Sequence, residues 1–161
     1  MFFSADFIAL ELVDSHPRLL LDFGSGTLEL RVQTATGLDN GEWHRLDVFW
    51  GRERVRLLVD LCVAAQVVEK NDDSEPVFQD STCAAHGVIP PFNEYLNVNA
   101  PLQLGGVAQS TFDPPAYGWD HKPNGKPFDG CIRNLVVNSE VRAREVQEKG
   151  GMRNGNSWEL S

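Results

Sequence analysis

Hydrophobic and polar residues alternate most regularly between Leu38 and Asp60. A turn at Asp39-Asn40-Gly41 opens the stretch, since Asn and Gly accept positive φ at low cost. Leu46, Val48 and Trp50 then share one parity, and Arg45 and Asp47 the other. Beyond Gly51-Arg52-Glu53 the alternation resumes: Val55, Leu57, Val59 and Leu61 take one side, Arg54, Arg56 and Asp60 the opposite one. Successive strand side chains point to opposite faces, so the pattern predicts an antiparallel hairpin with one face on a core. Trp43 is expected as a core aromatic and His44 as a polar residue near the sheet edge. Upstream, Ile8, Leu10 and Leu12 alternate with Ala9 and Glu11 in a half-buried strand over 6–13. A second strand runs through Leu19, Leu21 and Phe23, and a third from Thr27 to Gln33 with Leu28, Leu30 and Val32 inward. Asp14-Ser15-His16-Pro17 reads as a turn, Pro17 excluding a continuing ladder. Five short strands with no helical period between them are the pattern of an antiparallel sandwich.

The pattern weakens after Asp60. Glu69 to Pro76 is an acidic loop and reads as solvated surface. Leu96 to Leu104 returns to strand and stops at Gly105-Gly106. Pro114, Pro115, Pro123 and Pro127 make 112–127 a long loop, and Phe128-Asp129-Gly130 turns into a last strand ending at Val137. Residues 141–149 show no consistent apolar stripe and are assigned to no element.

Composition narrows the function. A length of 161 residues, 42% of them hydrophobic, suits one globular domain with a proper core. The net charge of −9 argues against nucleic acid, whose phosphates demand an excess of Lys and Arg. No apolar run reaches the length of a membrane-crossing helix, and Asp6 interrupts what would be the apolar part of a signal peptide. Asn-x-Ser/Thr is absent, so glycans do not reveal the compartment. His16, His44, His86 and His121 lie in unrelated contexts, with no His-Glu-x-x-His and no Gly-x-Ser-x-Gly. A glycoside hydrolase would need two carboxylates facing each other across a cleft, and the strand signature Glu-x-Asp-x-x-Glu is missing. The residues point away from an enzyme.

Four stretches in order carry a resemblance: Asp6-Phe7-Ile8-Ala9-Leu10-Glu11-Leu12, Asp39-Asn40-Gly41-Glu42-Trp43-His44-Arg45, Pro101-Leu102-Gln103-Leu104-Gly105-Gly106 and Phe128-Asp129-Gly130-Cys131-Ile132-Arg133-Asn134-Leu135. Through them the chain resembles laminin G domains over residues 1–138, with 139–161 a divergent tail. Within that family, residues 17–32 and 89–100 are most similar to the membrane-proximal laminin G domains of arthropod neural cadherins. The resemblance implies an all-β, antiparallel, two-sheet jelly-roll sandwich of the concanavalin-like kind. It also implies that the first one or two strands of the domain are missing. The function implied is a non-catalytic extracellular module of a single-pass, cadherin-type, calcium-dependent adhesion receptor, beside EGF-like and cadherin modules at the plasma membrane. Homophilic adhesion and contact with other cell-surface or matrix proteins follow from the same likeness. A secreted or matrix glycan-binding lectin has the same fold and stays open as an alternative.

The resemblance also implies sites. Many laminin G domains hold one calcium ion at the sandwich rim; by position its ligands here are the Asp6 and Asn97 side chains and the carbonyls of Ser25 and Tyr95. A single formal negative charge makes such a site weak, in the ~10⁻⁴–10⁻³ M range. Asp6 as turn chemistry and Asn97 as a loop hydrogen-bonder account equally for those residues. The family pairs Cys62 with Cys83, closing a loop of about 20 residues worth about 3 kcal/mol. Reduced thiols, or a zinc site begun by Cys83 and His86 and completed by Cys62 and Cys131, are the other readings. No cysteine follows Cys131, where relatives usually supply a partner, so Cys131 is expected unpaired and prone to intermolecular bonding. Arg52, Arg54 and Arg56 share one parity, which suits a sulfated glycan and equally a solvated strand face.

Overall fold

The computed structural model describes residues 6–51, 54–62, 81–90, 102–107 and 121–148, with side chains up to residue 141. The expected strand over 96–104 lies partly outside this set, and Leu102 to Leu104 are not in a strand. The described residues form eight antiparallel strands and no helix: β1 (Phe7–Val13), β2 (His16–Asp22), β3 (Thr27–Arg31), β4 (Leu46–Trp50), β5 (Arg54–Val59), β6 (Ala84–Val88), β7 (Gly130–Val137) and β8 (Glu140–Glu148). They belong to two compact units, residues 1–98 with 114–124, and residues 99–113 with 125–161.

The first unit holds two three-stranded sheets, β1-β2-β3 and β4-β5-β6. Asp14 and Ser15 both take positive φ (51° and 68°), the conformation of a two-residue hairpin turn whose twist matches its strands. Val13 therefore pairs with His16 and Leu12 with Pro17. The expectation of a turn extending through Pro17 is thus corrected: Pro17 lies within β2. Its carbonyl accepts a hydrogen bond from the Val32 amide at 3.2 Å, but a proline has no N–H to return. The β2–β3 ladder stops there, and β3 ends at Arg31.

Alternation then decides the core. Leu19 and Leu21 of β2 face the same way as Leu30 and Leu28 of β3, while Val55, Leu57 and Val59 do so on β5. Leu19, Leu21, Phe23, Leu30 and Val32 join Val55, Leu57, Val59, Ala85 and Ile89 in one buried cluster drawn from both sheets. Each fully buried aliphatic side chain contributes about 1.5–3 kcal/mol of transfer free energy. Gly87 lets β6 approach: a Cβ there would sit 2.8 Å from both Leu28 Cδ1 and Leu30 Cδ2. On the other face of the first sheet, Arg18 Nε donates to Glu11 Oε1 at 2.7 Å. Glu11 Oε2 accepts from the Asn124 amide at 2.6 Å, and His121 pairs with Glu29 at 3.0 Å. This strap brings residues 121–124 onto the face where Leu20, fully buried, lies opposite Ala9 and Glu29.

Several expected core positions are solvent-facing. Trp43 is 49% exposed and Trp50 44%. Trp43 precedes β4 in the loop rather than entering the sheet, and Trp50 is the last residue of a strand that, among the described residues, pairs with β5 alone. Ile8 and Leu10 have core parity but sit on β1, which among the described residues pairs with β2 alone, and are more than a third exposed, whereas Phe7 is buried. Leu61 leaves the alternation because Asp60 and Leu61 form a turn at φ 51° and 56°. In the second unit β7 and β8 pair through a turn at Asn138-Ser139, with a bulge at Leu135/Val136. Residues 140–148, given no element from their sequence, are thus a strand, and the boundary placed at Asn138 falls in the turn of this hairpin.

Candidate functional site

At one end of the first sheet, Phe7 pairs with Asp22, so Asp6 lies beside the turn joining β2 to β3. Asp22 is buried, and its two carboxylate oxygens hold that turn closed: Oδ1 accepts from the Gly24 amide and Oδ2 from the Thr27 hydroxyl, both at 2.7 Å. Gly24 and Gly26 flank Ser25 with φ of 94° and 122°, a backbone that glycine adopts without strain. Of the four residues expected to hold calcium, Asp6 and Ser25 therefore fall at the same end of one sheet. Tyr95 and Asn97 lie outside the described residues. The Asp6 carboxylate is half-buried, and carboxylate and carbonyl oxygens are the hard donors that calcium prefers. Among the described residues no three His, Cys, Asp or Glu side chains cluster to hold a metal.

The outward face of the second sheet carries the basic row. Arg56 lies directly between Phe49 on β4 and His86 on β6. Its guanidinium sits 5.3 Å from the Phe49 ring centroid, a cation–π contact that presents the ring and the charge together. Arg54 is one row along, opposite Val88, which is 62% exposed. Arg54 and Arg56 thus share a face as the alternation requires, while Arg52 is outside the described residues. The aromatic and imidazole neighbours come from register, which is invisible before pairing is known.

Cys62 and Cys83 form a disulfide with Cα atoms 5.3 Å apart. It ties the turn after β5 to the start of β6 and removes both thiols from any zinc site. Cys131 is free and exposed on β7.

A clasp that sequence reading left unrecognised joins the 39–45 loop to the Asp60 turn. Asp60 Oδ1 accepts from the Arg45 amide at 2.8 Å and Oδ2 faces His44 Nδ1 at 2.8 Å. The other ring nitrogen, Nε2, meets Asn40 Oδ1 at 3.0 Å. Burial pushes the Asp60 carboxyl up, but the His44 and Arg45 hydrogen bonds and the nearby His44 outweigh it and hold its pKa below the ordinary range. Arg45 turns outward to pair with both oxygens of Asp47. The sixteen residues separating His44 from Asp60 hide this pairing in the sequence.

The comparisons agree with this architecture. A laminin G domain profile matches residues 1–140. The chain is 59% identical over 137 residues to neural-cadherin of Drosophila melanogaster, covering 85% of this chain and 4% of that protein. It is 57% identical over 136 residues to putative neural-cadherin 2 of the same fly, covering 84% and 8%. Cadherin-related hmr-1 of Caenorhabditis elegans is 30% identical over 139 residues, covering 84% and 4%. This chain thus spans only a small part of these relatives' length. No solved structure matches. A profile match over residues 1–140 places the chain in the laminin G domain family, a non-catalytic family.

Proposed function

We propose that the chain is an extracellular interaction module of a cadherin-type, calcium-dependent cell–cell adhesion receptor, folded as a two-sheet jelly-roll sandwich. The observation that carries this reading is the 59% identity to a stretch of neural-cadherin. Two sheets sharing one core support the sandwich. The module works by presenting surfaces: the rim with Asp6 and Ser25, and the outward row of Phe49, Arg56, His86 and Arg54. Its partners are other cell-surface or matrix proteins and the neighbouring EGF-like and cadherin modules, on the outer side of the plasma membrane. Sulfated glycans are a further partner, because a planar guanidinium backed by an aromatic ring suits a sulfate on a sugar. The same row supports the second reading, a secreted or matrix lectin.

The reading is tested by exchanging this segment for an unrelated β-sandwich within its parent receptor, displayed on non-adherent cells. Calcium-dependent aggregation, or the sorting of cells by receptor type, should weaken. Unchanged aggregation together with retention on heparin that Arg54→Ala/Arg56→Ala abolishes would favour the lectin.

Calcium is tested separately. Asp6 and the carbonyls of Ser25 and Tyr95, with the Asn97 side chain, form the proposed ligand set. An ion bound only by the folded state raises the melting temperature, so millimolar calcium should stabilise the parent and leave Asp6→Ala unmoved. Equal shifts in both would remove Asp6 from the site.

A further inference from the structure

The loop from Asn40 to His44 hangs between two fixed ends. At the first, the Leu38 amide donates to the Ser15 carbonyl at 2.8 Å and the Ser15 hydroxyl to Asp39 Oδ2 at 2.7 Å. At the second, the Asp60 amide donates to the Arg45 carbonyl at 2.9 Å, and the Arg45 amide to Asp60 Oδ1 at 2.8 Å. Between these ends one imidazole holds the loop. His44 Nδ1 lies 2.8 Å from Asp60 Oδ2, and Nε2 lies 3.0 Å from Asn40 Oδ1. The Asn40 atom is identified as oxygen because it accepts from the Glu42 backbone N–H at 2.9 Å. Both ring nitrogens therefore face acceptors. A neutral imidazole carries one N–H and one lone pair and can satisfy only one of them, whereas an imidazolium has two N–H groups and satisfies both. Asp60, its pKa held below the ordinary carboxylate range, remains an acceptor across the range where imidazoles ordinarily titrate. Asp39 is engaged by Ser15 and Arg45 by Asp47, while Asp14 and Glu42 are exposed. Among the described residues Asp60 is thus the charge set against the ring.

We propose that His44 is a proton-operated latch: its imidazolium bridges Asp60 and Asn40 and closes the 40–44 loop, and the neutral ring releases it. When the proton leaves, the remaining N–H stays with Asp60, because a carboxylate is a stronger acceptor than an amide oxygen. Nε2 then turns a lone pair toward Asn40 Oδ1, and two acceptors 3.0 Å apart repel. Asn40 is the partner that yields. It is exposed, whereas the His44 side chain is 15% exposed and anchored by Asp60. Rotating the Asn40 amide to offer its amino group to the ring takes Oδ1 away from the Glu42 N–H. Swinging the side chain outward breaks the same bond, so the Glu42 amide loses its acceptor on either route. The closed loop binds the proton, so acid favours closure and rising pH favours opening. The ends stay in place, since the donors between Arg45 and Asp60 are backbone amides. What changes is the setting of Trp43, half exposed within the loop. The surface around that tryptophan therefore depends on pH.

The test is a nuclear magnetic resonance titration of the intact ¹⁵N-labelled protein from about pH 5 to about pH 8.5, the span in which imidazoles ordinarily change charge. The ¹⁵N shifts of the His44 ring read its protonation state. Hydrogen exchange of the Glu42 amide, divided by the unfolded-chain rate at each pH, reads whether the latch is shut. On the acid side both ring nitrogens should be protonated and the Glu42 amide protected. As the ring loses its proton, Glu42 protection should fall about tenfold, the effect of losing one hydrogen bond of modest strength. The Arg45 amide, bonded to Asp60 Oδ1, should keep its protection throughout and so reports any wider opening. The fluorescence difference between the parent and Trp43→Phe should change with the same midpoint as the ring. In His44→Gln, whose side chain donates without titrating, Glu42 protection should not vary with pH. Glu42 protection that stays constant in the parent while the ring becomes neutral would overturn the proposal without any variant. So would a fall shared equally by Arg45, or the same step persisting in His44→Gln.

Discussion

Single residues set how closely the two sheets of the first unit meet. Gly87 is a point of close approach, since Leu28 and Leu30 already occupy the space that its Cβ would need. Gly87→Val should therefore destabilise the protein by about 1–3 kcal/mol, the range for forcing extra methyl groups into a packed core. Chemical denaturation would show it as a lower midpoint at unchanged slope. A neutral result would mean that Leu28, only half-buried, swings aside. The sequence hides this role because Gly87 sits in Ala84-Ala85-His86-Gly87-Val88, where no alternation marks a strand. Burial of the leucines was legible, because Leu19, Leu21, Leu28 and Leu30 keep strict parity. Burial of Trp43, Trp50 and Leu10 was misjudged for a physical reason. Parity tells which way a residue points, but whether anything covers it depends on whether its strand is central or at an edge.

At the scale of elements, β1 to β5 could be read from periodicity, while β6 and β8 could not. Strand β6 is held by pairing to β5 and by the disulfide beside it, so its own residues need little strand preference. Pro17 misled in the opposite direction: a proline inside a strand is tolerated when its missing N–H points at a position where the neighbouring ladder ends. Charged residues on the outward face of the first sheet make a strap rather than a loose surface. Burial pushes the Glu29 carboxyl up, yet the Arg31 hydrogen bond and the charges of Arg31, Arg18 and His121 together bring its pKa below the usual glutamate value of 4.5. A carboxyl whose folded pKa is depressed adds stability that is fully present above its unfolded pKa. That stability is lost as pH falls from the unfolded value through the folded one. The parent protein should thus lose melting temperature on acidification below about pH 4.5. Glu29→Gln should start lower and lose less across the same window. Parallel curves for the two proteins would show that Glu29 contributes nothing to the acid sensitivity.

At the scale of the whole molecule, the candidate site was legible where pairing of nearby strands creates it and obscure where distant segments meet. Arg54 and Arg56 share a face by simple alternation, and the order of β1, β2 and β3 brings Asp6 and Ser25 to one end of the sheet. The His44 clasp and the Glu29–His121 strap need the fold to be known. Cys131 belongs to this scale as well, because its chemistry concerns a second molecule. With Cys62 bonded to Cys83, it is the one free thiol in a chain of three cysteines, and it is exposed on β7. An accessible thiol with no partner among these 161 residues can form a disulfide only with a sulfur of another molecule, the mild oxidant taking up the two electrons. Under mild oxidation the isolated protein should therefore form covalent dimers, visible as a doubled mass on non-reducing gels and reversed by a reductant. Cys131→Ser should abolish the dimer without changing the melting temperature, since an exposed Ser is close in size and makes no new buried contact. Rapid alkylation of one cysteine per native chain, mapped to Cys131, would support the same assignment. If Cys131 resisted alkylation in the native protein, or if dimers persisted in Cys131→Ser, the exposed thiol on β7 would not be the point of cross-linking.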